Sequence, residues 1–120
     1  MEVGAGLVLL VAPAAAITLV FGSSGTEASV ALGRLAGAAL LSLGAACWWA
    51  RNDGGSAASR ALMIGMLIYN TTVVALVLIG SLGWPGPLLW GVAALHGGMA
   101  IWCLMSLGRR VSARVAGNSL

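Results

Sequence analysis

Asn70 and His96 sit near the midpoints of long apolar runs, and they are the first side chains in this sequence equipped for chemistry. A helix rises about 1.5 Å per residue, and counting from the run ends puts both residues at the same depth on consecutive antiparallel helices. An amide offers donors and an acceptor, and a neutral imidazole offers one of each, so the two can share a hydrogen bond. As interhelical glue such a bond is worth about 0.6 kcal/mol on average and up to about 2. The alternative is that the pair lines a small polar pocket at mid-membrane, because an ionisable group in a span is a functional candidate by default. Glue suits Asn70; His96 stands between the two readings. The neighbours in "GMLIYNTTVV" divide the labour. Thr71 and Thr72 can turn back onto carbonyls of their own helix near Leu67 and Ile68. Asn70 is too demanding for that and should face protein or a hydrated cavity. Tyr69, about 100° round the helix from Asn70, is expected to pack elsewhere in the bundle, and it completes the candidate polar set.

Arg34 is a second candidate, placed against the prevailing charge asymmetry near the start of the second apolar run. Snorkelling to phosphates explains it without function. Other readings are a pairing with Glu27 across a loop or subunit, or capture of an anionic ligand. Soft ligands form a third set. His96, Met99 and Cys103 follow at i, i+3 and i+7, and Cys47 falls at matching depth on the second run. Thiols and thioethers suit Cu(I), but two helical turns, about 10.5 Å, separate His96 from Cys103 along the axis. A Cys47–Met99–Cys103 site is geometrically allowed; all three are also ordinary membrane-core residues, and no metal or other cofactor is expected.

Familiar catalytic sets are missing. The acids are Glu2, Glu27 and Asp53, none read as lying in a span, so there is no paired carboxylate and no Ser-His-Asp set. There is no lysine, hence no phosphate-cradling Gly-Lys-Ser/Thr loop. Small multidrug exporters depend on a glutamate within their first helix, and "VGAGLVLLVAPAAAITLVF" has none. A non-enzymatic role is expected.

The elements that must position these residues follow from composition. Of 120 residues, 60% are hydrophobic and 8% charged, against about 25% charged in a soluble domain. A bilayer core of about 30 Å needs about 20 apolar residues per helix. Four stretches meet that need: 3–21, 30–50, 61–79 and 88–107. The expected fold is all-α, a single integral membrane four-helix antiparallel bundle with a short basic tail over 108–120. The middle loop carries Arg51 and Arg60 and the tail Arg109, Arg110 and Arg114, while the other two loops have no basic residue. Positive charge stays inside, which puts both termini in the cytoplasm. It also assigns the net charge of +3 to topology and lipid headgroups rather than to nucleic acid. Trp48, Trp49 and Trp102 on one side and Trp84 and Trp90 on the other read as an aromatic belt. A reducing compartment next to Cys47 and Cys103 argues against a disulfide.

Helices in lipid associate through close packing and interhelical hydrogen bonds. Small-residue files are present at Gly33/Gly37, Ala38/Ser42/Ala46, Ala12/Ala16, Ala93/Gly97 and Ala94/Gly98. Pro13 removes a backbone donor mid-helix and predicts a kink. "GWPGP" reads as a rigid turn.

The stretch "GRLAGAALLSLGAACWWARND" followed by "SRALMIGMLIYN" resembles the second helix and following loop of small bacterial four-helix membrane proteins, the DoxX-like families. The resemblance implies that fold and a multi-pass place in a bacterial cytoplasmic membrane, and it transfers no activity. The functional expectation is a binding or accessory module that self-associates or docks on a larger membrane complex, with a lipid, quinone or other apolar ligand held between helices. A small oligomeric transporter or channel comes second and a membrane redox or metal protein third.

Overall fold

The computed structural model describes residues 2–53, 55–80, 83 and 86–117, with side chains as far as Arg109. Trp84 and Pro85, part of the turn read from "GWPGP", lie outside the described residues, as do the side chains of Arg110 and Arg114. The described residues form five α-helices: α1 (Glu2–Val11), α2 (Pro13–Phe21), α3 (Glu27–Trp49), α4 (Ala57–Gly80) and α5 (Leu89–Gly117). A single 3-10 turn, Ala50–Asn52, extends α3. Three helices, α3 with its added turn, α4 and α5, are long and apolar enough to cross a membrane.

The first apolar run is not one kinked helix. It breaks at Ala12, and α2 turns 111° from the axis of α1. Ala12 leaves helical geometry at φ −134°, ψ 55°. Pro13 has no N–H to return to the preceding turn, and its fixed φ starts a new helix at N1 instead. A proline alone accounts for a kink. The larger turn reflects where α2 docks: it crosses from α3 to the start of α5. There the Leu88 N–H donates to the Leu19 carbonyl at 3.1 Å. One donor left over at a helix start thus meets one acceptor left over at a helix end, as an apolar environment requires. Gly22 closes α2 in the left-handed region at φ 76°, its N–H returning to the Thr18 carbonyl at 2.9 Å.

Two hairpins result. In the first, α1 runs back along α3 on a file of glycines. A Cβ built on Gly37 would stand 2.8 Å from the Gly6 carbonyl oxygen, and one on Gly33 3.2 Å from the Pro13 Cβ. Val3 reaches Gly44 further along. The Gly33/Gly37 file therefore faces α1, whereas Ala38, Ser42 and Ala46 are exposed. Gly97 and Gly98 of the α5 files have nothing within 4 Å of where a Cβ would sit.

In the second hairpin, α4 buries Ser59, Met66, Asn70 and Val77 along one face, the 3.6-residue spacing of a helix stripe. This face meets α5, where Leu89 and Cys103 are buried. Caps set the starts of α3 and α4. The Thr26 side chain accepts from the Ser29 N–H at 3.2 Å, and the Ser56 hydroxyl accepts from the Ser59 N–H at 3.0 Å while donating to Asp53 at 2.6 Å. Both helices begin a few residues before the apolar runs for that reason. α5 continues through Gly117, into the stretch read from sequence as a tail.

Candidate functional site

The site is built on the α4–α5 seam. Asn70 is fully buried, with 0% of its surface exposed. Its Nδ2 donates to the Met66 carbonyl of its own helix at 2.7 Å, and its Oδ1 lies 2.8 Å from His96 Nδ1. These two contacts fix the protons. A carbonyl only accepts, so Nδ2 must face Met66 and Oδ1 must face His96. His96 Nδ1 is then the donor, and a neutral ring keeps Nε2 as its acceptor. Sequence reasoning held that Asn70 would not turn back on its own helix. It does so with one half of the amide and meets α5 with the other.

Tyr69 does not pack elsewhere. Its ring meets His96 edge to face, with centroids 5.5 Å apart and planes at 77°, a favoured geometry for such rings. Thr71 returns its hydroxyl to the Leu67 carbonyl at 2.8 Å and needs no other partner.

His96 and Tyr69 form the polar end of a groove of about 500 Å³ between the hairpins. Its walls are apolar: Ala5 and Val8 from α1, Ile17 and Val20 from α2, Leu40 from α3 and Val92 from α5. The break at Ala12 creates this space, because α2 turns across its end rather than continuing beside α3.

Glu2 is the residue that sequence reasoning missed. It was placed before the first span, yet α1 begins on it and it is only 6% exposed. Its Oε1 is buried with no hydrogen-bond partner among the described residues. It lines a cleft of about 690 Å³ with Cys47, Arg51, Met66 and Met99. One signal was available: a carboxyl directly ahead of an unbroken apolar run is drawn in if the helix starts on it.

The remaining candidates separate. Arg34 is exposed on α3 and outside the groove, as is Glu27, and no ion pair joins them among the described residues. Cys47 and Cys103 are free thiols. They come together with Met99, and with Met63 and Met66 of α4, around a cleft of about 240 Å³ at the Arg51 end of the molecule. Trp48, Trp49, Trp90 and Trp102 are exposed. The Arg51 guanidinium lies over the Trp48 ring at 4.1 Å.

Comparison with known proteins gives no matching family model, curated protein or solved structure.

The seam itself makes a prediction. In a double-mutant cycle of Asn70→Val and His96→Leu, followed by detergent-induced unfolding, the coupling energy should be about 0.6 to 1.7 kcal/mol. Strict additivity would mean that the 2.8 Å contact contributes nothing to hairpin stability.

Proposed function

We propose that this chain is a multi-pass membrane binding module that holds an apolar ligand in the inter-hairpin groove. The observation that carries the reading is the groove's composition: aliphatic walls from all five helices and a polar end made by His96 and Tyr69. Sites of this kind, mostly apolar with a few placed polar groups, are the default shape of small-molecule pockets. With Nδ1 committed to Asn70, a neutral His96 offers an acceptor and Tyr69 a hydroxyl donor. The matching ligand carries a hydroxyl or carbonyl on a hydrocarbon body, which is the chemistry of a quinone, a quinol or a lipid with a free hydroxyl.

The proposed setting is a bacterial cytoplasmic membrane, with α1 and α2 together making a fourth crossing and both ends of the chain on the arginine-bearing side. Glu2 lines the same cleft as Trp49 and Arg51, and Arg109 follows Cys103 on α5, which supports placing the two ends together. The exposed Ala38/Ser42/Ala46 file is smooth enough for a second copy or a larger membrane complex to pack on. A small oligomeric transporter is a second reading. It is favoured by one observation, the buried Glu2 carboxyl, whose Oε1 has no hydrogen-bond partner among the described residues.

Native mass spectrometry of gently solubilised protein tests the binding reading. A hydrophobic molecule should co-purify with the wild type, and Ala5→Phe, which fills the groove, should expel it. His96→Ala should weaken rebinding about tenfold, the worth of one hydrogen bond of about 1.4 kcal/mol. An empty wild-type chain in several detergents, or an unchanged load in Ala5→Phe, would refute it. Liposome proton flux that is present in wild type and lost in Glu2→Gln would favour the transporter.

A further inference from the structure

Five of the chain's seven sulfur-bearing residues converge on one cleft. It is lined by both cysteines, Cys47 and Cys103, and by three of the five methionines, Met63, Met66 and Met99. They come from three helices. α3 gives Cys47, and the α4–α5 seam gives the rest in register. Asn70 faces His96, and one turn toward the α3–α4 loop sets Met66 level with Met99. A further turn sets Met63 level with Cys103. The seam thus changes from nitrogen and oxygen to sulfur as it approaches the Arg51 end.

We propose that this cleft is a binding site for a soft monovalent metal ion of the Cu(I) class. Thiolate and thioether ligands select Cu(I) over harder ions. No three His, Cys, Asp or Glu side chains converge among the described residues, so the donors on offer here are sulfurs. The second observation is Glu2. Its carboxyl is more than nine-tenths buried, has an unpartnered oxygen, and lines the adjoining cleft, which shares Cys47, Met66, Met99 and Arg51 with the sulfur cleft. A buried acceptor without a partner costs stability, and positions that give up stability are most often functional ones. Binding is a ligand exchange with no redox step. Each coordinating thiol forms a Cu–S bond and releases its proton to water, while the thioethers bind without proton loss. Two thiolates around one Cu(I) leave one negative charge, and the Arg51 guanidinium at the rim of both clefts balances it. The apolar groove at the α2 end involves none of these sulfurs, so the two sites stand or fall separately.

The test uses the full chain in a non-ionic detergent under reducing, oxygen-free conditions, with Cu(I) presented as a coloured chelator complex. Wild type should withdraw one Cu(I) per chain, and copper-edge X-ray absorption should show sulfur neighbours alone. Outer-shell partners by themselves are worth 10–100-fold in metal affinity, so losing a ligand through Cys47→Ser or Cys103→Ser should cost at least about tenfold. Met66→Leu with Met99→Leu conserves volume and should weaken binding while leaving the fold intact. Cys47 is only half-buried, so Cys47→Ser decides the matter if the Cys103 variant does not fold. Uptake equal to wild type in Cys47→Ser and in the methionine pair would overturn the proposal. So would nitrogen or oxygen neighbours at the metal, or no withdrawal of Cu(I) by the wild type.

Discussion

Replacing Gly37 by valine is expected to unseat α1 from α3 and lower the unfolding free energy by about 1–3 kcal/mol, the usual cost of overpacking a tight contact. The reason is what surrounds the missing Cβ. It would fall 2.8 Å from the Gly6 carbonyl oxygen and 3.0 Å from the Leu10 nitrogen. Both are backbone atoms of a helix, so neither can swing aside as a side chain would. The contact is reciprocal, since a Cβ on Gly6 would meet the Gly37 carbonyl at 2.8 Å. Gly6→Val should therefore behave alike, and the two changes together should cost less than their sum, because either one already parts the helices. Gly97→Ala is the control. It meets nothing within 4 Å and should be neutral or slightly stabilising through helix propensity. Detergent-induced unfolding followed by circular dichroism would measure all four. A Gly37→Val protein as stable as wild type would mean that α1 is not held by this crossing.

The opposite sign is expected at Glu2. Glu2→Met replaces a buried carboxyl by an apolar side chain of similar length, and it should raise the unfolding free energy by about 1–3 kcal/mol, the penalty of one unsatisfied buried acceptor. Few single substitutions stabilise by that much. A position that does so is one where stability was given up for something else, and functional sites are the usual place for that exchange. Glu2→Gln should fall between the two, since it keeps a polar side chain of the same size in the buried position. Thermal unfolding in one detergent at fixed pH compares the three proteins directly. An unchanged or lowered stability in Glu2→Met would show that the carboxyl is already compensated, and would weaken the transporter reading.

Much of the molecule could be read from residue order. The apolar runs marked α3, α4 and α5, because lipid demands long apolar helices. Depth counting paired Asn70 with His96, because rise per residue is nearly constant in a helix. The Gly33/Gly37 file was visible as spacing, although its partner on α1, Gly6, was not. What stayed hidden depends on contacts between distant segments. Pro13 foretells a bend but not its angle, which follows from the docking of α2 on α5. The contact of Tyr69 with His96 depends on the ring's rotamer and on how far α5 is rotated, and angular position on one helix fixes neither. Met63 and Met66 were overlooked because their relation to Cys103 and Met99 appears only once α4 and α5 are aligned through Asn70 and His96. Arg34, conspicuous in the sequence, is exposed and away from the groove, where solvation or lipid phosphate can satisfy it.

The bond from Leu88 to Leu19 has a mechanical consequence. It fastens α2 to the second hairpin, while the chain holds α2 to the first through Ala12 at one end and residues 22–26 at the other. α2 therefore acts as a connecting rod between the two pairs. Rocking of one hairpin against the other is taken up at the non-helical links on either side of the rod, Ala12 and residues 22–26, and the same movement widens or narrows the groove that the rod crosses.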